Sequence, residues 1–148
     1  MKRIVTGVVL AAGVMLLTGF AGSSPQELLG MAEYFSGTNE PARAQHYFDR
    51  AIAAAPRSPE GYRRRAFFYL NQHRDREALA DLTSAIGYAP NAADLYVSRG
   101  MLYEQMHDYP RAYTDYVTGC GLGEKGACAF AEELQRQYRL PPAPGGNR

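Results

Sequence analysis

The chain has almost no surplus of charge of either sign. Its 16 lysines and arginines face 15 aspartates and glutamates, a formal net charge of +1 over 148 residues. Binding to a phosphate backbone through bulk positive charge is excluded on that ground. No second long apolar run follows residue 17, so no membrane-spanning function is expected beyond the N-terminus. Histidine is scarce, and His46, His73 and His107 form no paired-histidine metal motif. A glycine-rich phosphate loop and a nucleophile elbow are missing as well. Acidic residues such as Asp81 and the pair Glu132-Glu133 read as solvated charges on helix faces. No enzyme, metal or cofactor is therefore expected.

What is present begins with an address. Lys2 and Arg3 form a positive start, Ile4 to Leu17 an apolar stretch, and Gly19 and Ala21 a small-residue cleavage pattern. Residues 1–21 are read as an export signal, with Gly22 opening the remaining chain. Loss of Lys2 and Arg3 turns the small positive balance slightly negative. Two other readings stand beside cleavage. An uncleaved anchor would use Ile4 to Ala21, just long enough to cross a bilayer but diluted by Gly7, Gly13, Thr18 and Gly19. Leu16-Leu17-Thr18-Gly19 resembles the front of a bacterial lipoprotein box, yet Phe20 stands where the acceptor cysteine would be.

The rest of the chain repeats itself every 34 residues without a gap, from Pro25, Pro59 and Ala93. Small residues recur at the eighth, twentieth and twenty-seventh places: Ala32, Ala44 and Ala51, then Ala66, Ala78 and Ala85, then Gly100, Ala112 and Gly119. Large residues recur at the fourth, eleventh and twenty-fourth: Leu28, Phe35 and Phe48, then Tyr62, Tyr69 and Leu82, then Tyr96, Tyr103 and Tyr116. Two antiparallel helices approach closely only where small side chains face each other, and large ones a turn away fill the space between units. A single pair cannot bury its apolar face, so stacking completes the core.

This pattern resembles the tetratricopeptide repeat (TPR) family from Pro25 to about Gly119, with a capping helix beyond. The resemblance implies an all-α fold of three helix hairpins stacked as a short right-handed solenoid. Local signals agree. Ser24-Pro25-Gln26-Glu27 reads as a capping box, Ser58-Pro59 repeats the start, and Asn91 with Asp94 marks the third. Pro41 and Pro110 suit the opening of second helices, where a missing N–H does no harm. Helices are predicted over 25–37, 41–54, 59–71, 76–88, 93–105 and 109–120. The domain is assigned to 22–140, with repeats at 25–58, 59–92 and 93–124. A capping helix at 127–139 would cover the stack with Phe130, Leu134 and Tyr138. Residues 141–148, rich in proline and glycine, read as a disordered tail.

Cys120 and Cys128 flank a glycine-rich corner. In an exported chain an even cysteine count points to a disulfide. Zinc would need two further ligands, and a redox pair would lie closer together. Cysteine-bridged relatives of the TPR family have a similar corner, which implies the same bridge here.

The resemblance also implies a groove lined by the first helix of each unit. Its places are Gln26, Leu29, Glu33 and Ser36 in unit one, and Glu60, Arg63, Phe67, Leu70 and Asn71 in unit two. Asp94, Val97, Met101, Glu104 and Gln105 follow in unit three. Leu29, Phe67, Leu70, Val97 and Met101 would form an apolar floor suited to an amphipathic helix or apolar peptide. TPR domains that grip chaperone C-terminal carboxylates use lysine, asparagine and arginine at fixed places, and Leu29 and Glu33 occupy the first two here. Arg65 shares its place with Arg99 and reads as structural, Arg64 as solvated, and Arg63 as groove-facing. The expected function is a non-catalytic periplasmic or secreted adaptor binding another envelope protein or peptide. The alternatives are an inhibitor or immunity-type protein against one envelope-acting toxin or hydrolase, or a self-associating structural protein. The protein's own tail covering the groove is the competing use of that surface.

Overall fold

A computed structural model describes residues 23–142. The expected export signal at 1–21 and residues 143–148 of the expected tail lie outside them. The described residues form seven α-helices and no strand. They are α1 Pro25–Gly37, α2 Pro41–Ala54, α3 Pro59–Leu70, α4 Asp75–Tyr88, α5 Ala93–Gln105, α6 Tyr109–Gly121 and α7 Lys125–Tyr138. Helices α1 and α2, α3 and α4, and α5 and α6 pack as hairpins, and α7 packs on α6.

Local chemistry starts each helix differently. Ser24 caps α1 with both halves of the box: its Oγ accepts from the Glu27 N–H at 3.2 Å, and its own N–H donates to Glu27 Oε2 at 2.8 Å. Ser58 makes no side-chain cap bond at α3, and Ala92 rather than Asn91 sits at the cap of α5. Proline at the first turn of α3 and the acidic first-turn residues Glu60 and Asp94 take over there. The capping helix begins at Lys125, two residues before the predicted start, because the Glu124 side chain accepts from the Gly126 N–H.

Within every hairpin the turn is the same. Asn39, His73 and His107 take left-handed backbone angles, with φ of 59°, 57° and 61°. The next N–H reaches back five residues, from Glu40 to Phe35 O, Arg74 to Tyr69 O and Asp108 to Tyr103 O, at 2.8–3.0 Å. Asparagine and histidine are among the residues that tolerate this region. The matched histidines are turn residues.

The first core cluster runs from α1 to α5, and the second joins α6 to α7. Every predicted small position is buried, as are Phe48, Leu82 and Tyr116 at the twenty-fourth place. Glycine at 100 follows from its partner's bulk: a Cβ there would lie 2.8 Å from the Tyr116 ring. In α7, Ala127, Ala131 and Leu134 are buried. Phe130 packs at the edge against Tyr116, and Tyr138 stacks on Tyr109 at 3.7 Å.

Polar groups staple neighbouring units. The Arg65 guanidinium donates to both Asp81 oxygens at 2.7 and 2.8 Å and to Asp49 of unit one at 2.6 Å. Arg99 repeats this with Asp115, both bonds at 2.8 Å, and with Thr83 of unit two at 3.3 Å. Asp81 is 4% exposed, so it is a buried partner and not the solvated surface charge read from the sequence. A buried carboxylate is tolerable only with such pairing. The Tyr62 and Tyr96 hydroxyls donate to the carbonyls of Pro56 and Pro90, the last residues of the preceding units' repeat pattern.

Cys120 and Cys128 are joined by a disulfide across the α6–α7 corner, with Cα atoms 4.8 Å apart. Gly123 holds that corner at φ 99°, a backbone angle that favours glycine.

Candidate functional site

The first helices α1, α3 and α5 carry the residues expected to line the groove. Between α1 and α3 a cavity of about 370 Å³ opens, lined by Glu33, Ser36, Phe48, Arg63, Arg64, Phe67, Phe68 and Asn71. Five of the fourteen expected groove residues, Glu33, Ser36, Arg63, Phe67 and Asn71, therefore meet at one place. Phe67 is 42% exposed, and Met101, at the same repeat position on α5, is 49% exposed. These two are the accessible apolar floor.

The other apolar candidates lie deeper. Leu29 is 4% exposed and belongs to the first core cluster, so its placement on the groove surface is corrected. An apolar side chain at the seam of α1 with its neighbours gains more by packing than by facing water. Leu70 is half-buried against the same cluster, and Val97 against the second. Gln105 is exposed and donates to Asp75 Oδ2 at 3.1 Å. Glu104 is exposed and accepts from the Tyr116 hydroxyl at 2.8 Å. Burial and that bond push the Tyr116 phenol well above its usual range.

Charge at the cavity is organised as a closed network. Arg63 donates to both oxygens of Glu60 at 2.8 and 2.9 Å. Arg64 bonds Glu60 and also crosses to Glu33 on α1 at 2.6 Å. Arg64 is thus a wall of the cavity rather than a solvated bystander. Its signal was present as the i, i+4 spacing from Glu60. Burial pushes the Glu60 pKa up, but the hydrogen bonds from Arg64 and Arg63 outweigh it and hold the carboxyl below its ordinary value.

A second cavity of about 220 Å³ lies at the cap beside the disulfide, with Tyr113, Val117, Ala131 and Pro142 in its wall. Among the described residues, no three histidines, cysteines or carboxylates come together as a metal site would require. No described helix is long and apolar enough to cross a membrane.

The architecture is that of TPR domains. The TPR domain of Arabidopsis OM64 matches with a TM-score of 0.67 and 19% identity, over 78% of this chain and 96% of that one. The first TPR of Spaghetti (RPAP3), bound to the HSP90 peptide SRMEEVD, matches with 0.68 and 17%, over 82% and 100%. Pseudomonas aeruginosa PilF matches with 0.68 and 21%, over 79% of this chain and 55% of that one. No protein-family model and no curated protein matches the sequence. The described residues have the TPR fold, three hairpins and a capping helix.

Proposed function

We propose that the protein is a non-catalytic TPR adaptor that binds a segment of another protein in the groove of α1, α3 and α5. The observation that carries this reading is the cavity between α1 and α3, with Phe67 exposed in its wall and Met101 exposed at the same repeat position on α5. Isolated exposed apolar residues are ordinary, but two at one repeat position on successive first helices, one of them in a cavity wall, form a surface worth covering. The solved neighbour with a peptide bound supports a peptide-binding use of the fold. Export to the periplasm or beyond is the matching location, supported by the leader sequence and by a disulfide, which persists in oxidising compartments.

The test replaces Phe67 and Met101 together by glutamate and compares the proteins captured from an envelope extract with those captured by the native chain. Loss of a specific partner is expected. An unchanged set of partners would sink the groove reading. One partner recovered at equal molar yield and essentially irreversibly would point instead to a dedicated inhibitor of that protein.

A further inference from the structure

The groove is electrically divided along its length, and that division selects a partner. In the half built by α1 and α3, Glu33 and Glu60 are matched by Arg64 and Arg63, and the four side chains bind one another. That half presents no uncommitted charge. The α5 half differs. Asp94, Met101 and Glu104 recur at the spacing that keeps residues on one side of a helix, and all three are exposed. Neither Asp94 nor Glu104 has an ion-pair partner among the described residues. The arginine of α5, Arg99, is committed to Asp115 and Thr83. Beside this half, Asp75 Oδ1 is buried with no hydrogen-bond partner, adding negative character where Gln105 meets α4.

We propose that the groove takes a basic amphipathic segment of a partner protein, with an apolar side chain against Phe67 and Met101 and lysine or arginine side chains over Asp94 and Glu104. This rests on the groove reading above and adds the sign of the charge. An acidic segment would meet two carboxylates on α5 that have no ion-pair partner, and both groove arginines are already paired with carboxylates. A basic segment meets free carboxylates and breaks nothing. Such exposed charges act mainly on orientation, association rate and choice of partner.

The experiment uses the full chain and three synthetic helical peptides with leucine at the same i, i+3, i+4 and i+7 places. Their flanking positions carry lysine, glutamine or glutamate. Fluorescence anisotropy should show the lysine peptide bound about tenfold more tightly than the glutamate peptide, a gap that closes in about 0.5 M salt. Asp94→Asn with Glu104→Gln should remove most of the preference. Glutamine at 104 still accepts from the Tyr116 hydroxyl, and Asp94→Asn alone, at an exposed side chain with no ion pair, gives a second variant if the double one is unstable. Equal binding of all three peptides, lost in the Phe67→Glu, Met101→Glu protein, would overturn the charge inference and leave the groove reading standing. A preference for glutamate, or a lysine preference unchanged in both acidic-site variants, would overturn the charge inference as well. Binding of none of the three would overturn both.

Discussion

Among the described residues, units two and three are tied to the hairpin before them, and the matching places of unit one make no such ties. At the fourth repeat place, Tyr62 and Tyr96 donate to a carbonyl of the previous hairpin, whereas Leu28 is a core residue. At the seventh, Arg65 and Arg99 reach back to the previous hairpin, whereas Met31 stands exposed. At the tenth, Phe68 and Leu102 are buried, whereas Tyr34 is 66% exposed. Unit one has ring contacts of its own within its hairpin, besides the bonds it receives from unit two. Phe35 stacks on Tyr47 at 5.3 Å, and Arg43 lies over the Phe35 ring. These repeat places therefore encode joints between units, and unit one, the first described, carries other residues there.

The largest break in the comparison comes from removing a buried staple. Asp81→Ala removes two of the three bonds of the half-buried Arg65 guanidinium, leaving it only Asp49, and should lower unfolding stability by about 3 kcal/mol in urea titration. An equal loss from a unit-one surface change would mean the staples carry no special weight. Next is the other end of the stack, where a covalent joint ties unit three to its cap. Replacing Cys120 and Cys128 by serine should lower stability by about 2.5 kcal/mol on the entropy of the short closed loop, read by thermal unfolding without reductant.

A smaller effect probes the packing of unit three against that of unit two. Gly100→Ala drives a methyl into the Tyr116 ring and should cost about 2 kcal/mol. Adding Tyr116→Leu recreates the Ala66 and Leu82 pairing of unit two and should recover part of that loss, although it gives up the bond to Glu104. No recovery would mean that the two positions are not coupled. Glu60 offers a test by pH of the joint between units one and two. Its pKa is lowered in the folded protein, so its contribution is fully present above the ordinary value of 4.5 and fades as pH falls through the lowered one. The stability gap between the native chain and Glu60→Gln should shrink on acidification and stay flat toward neutrality. The least effect is expected at the open end, where Tyr34→Ser should change stability by less than about 0.5 kcal/mol.

Much of the fold could be read along the chain. Periodicity and turn residues located six repeat helices to within a residue at their ends and the cap to within two. The site was only partly legible. Glu33, Arg63, Phe67 and Asn71 came together around one cavity, but Leu29 sank into the core and Arg64 emerged as a wall. Repeat position says which helix a residue occupies; at a seam between helices, a small rotation decides between burial and exposure.

By itself the sequence determined the number of hairpins, their turns and the alternation of small and large core residues. These depend on backbone preferences and spacings within a few turns of chain. Only the tertiary structure decided that Asp81 is buried and paired, and that the groove's positive charges are already used. Those facts depend on groups 16 or 31 residues apart meeting at hydrogen-bond distance. Such meetings follow from how hairpins stack, which no local pattern specifies.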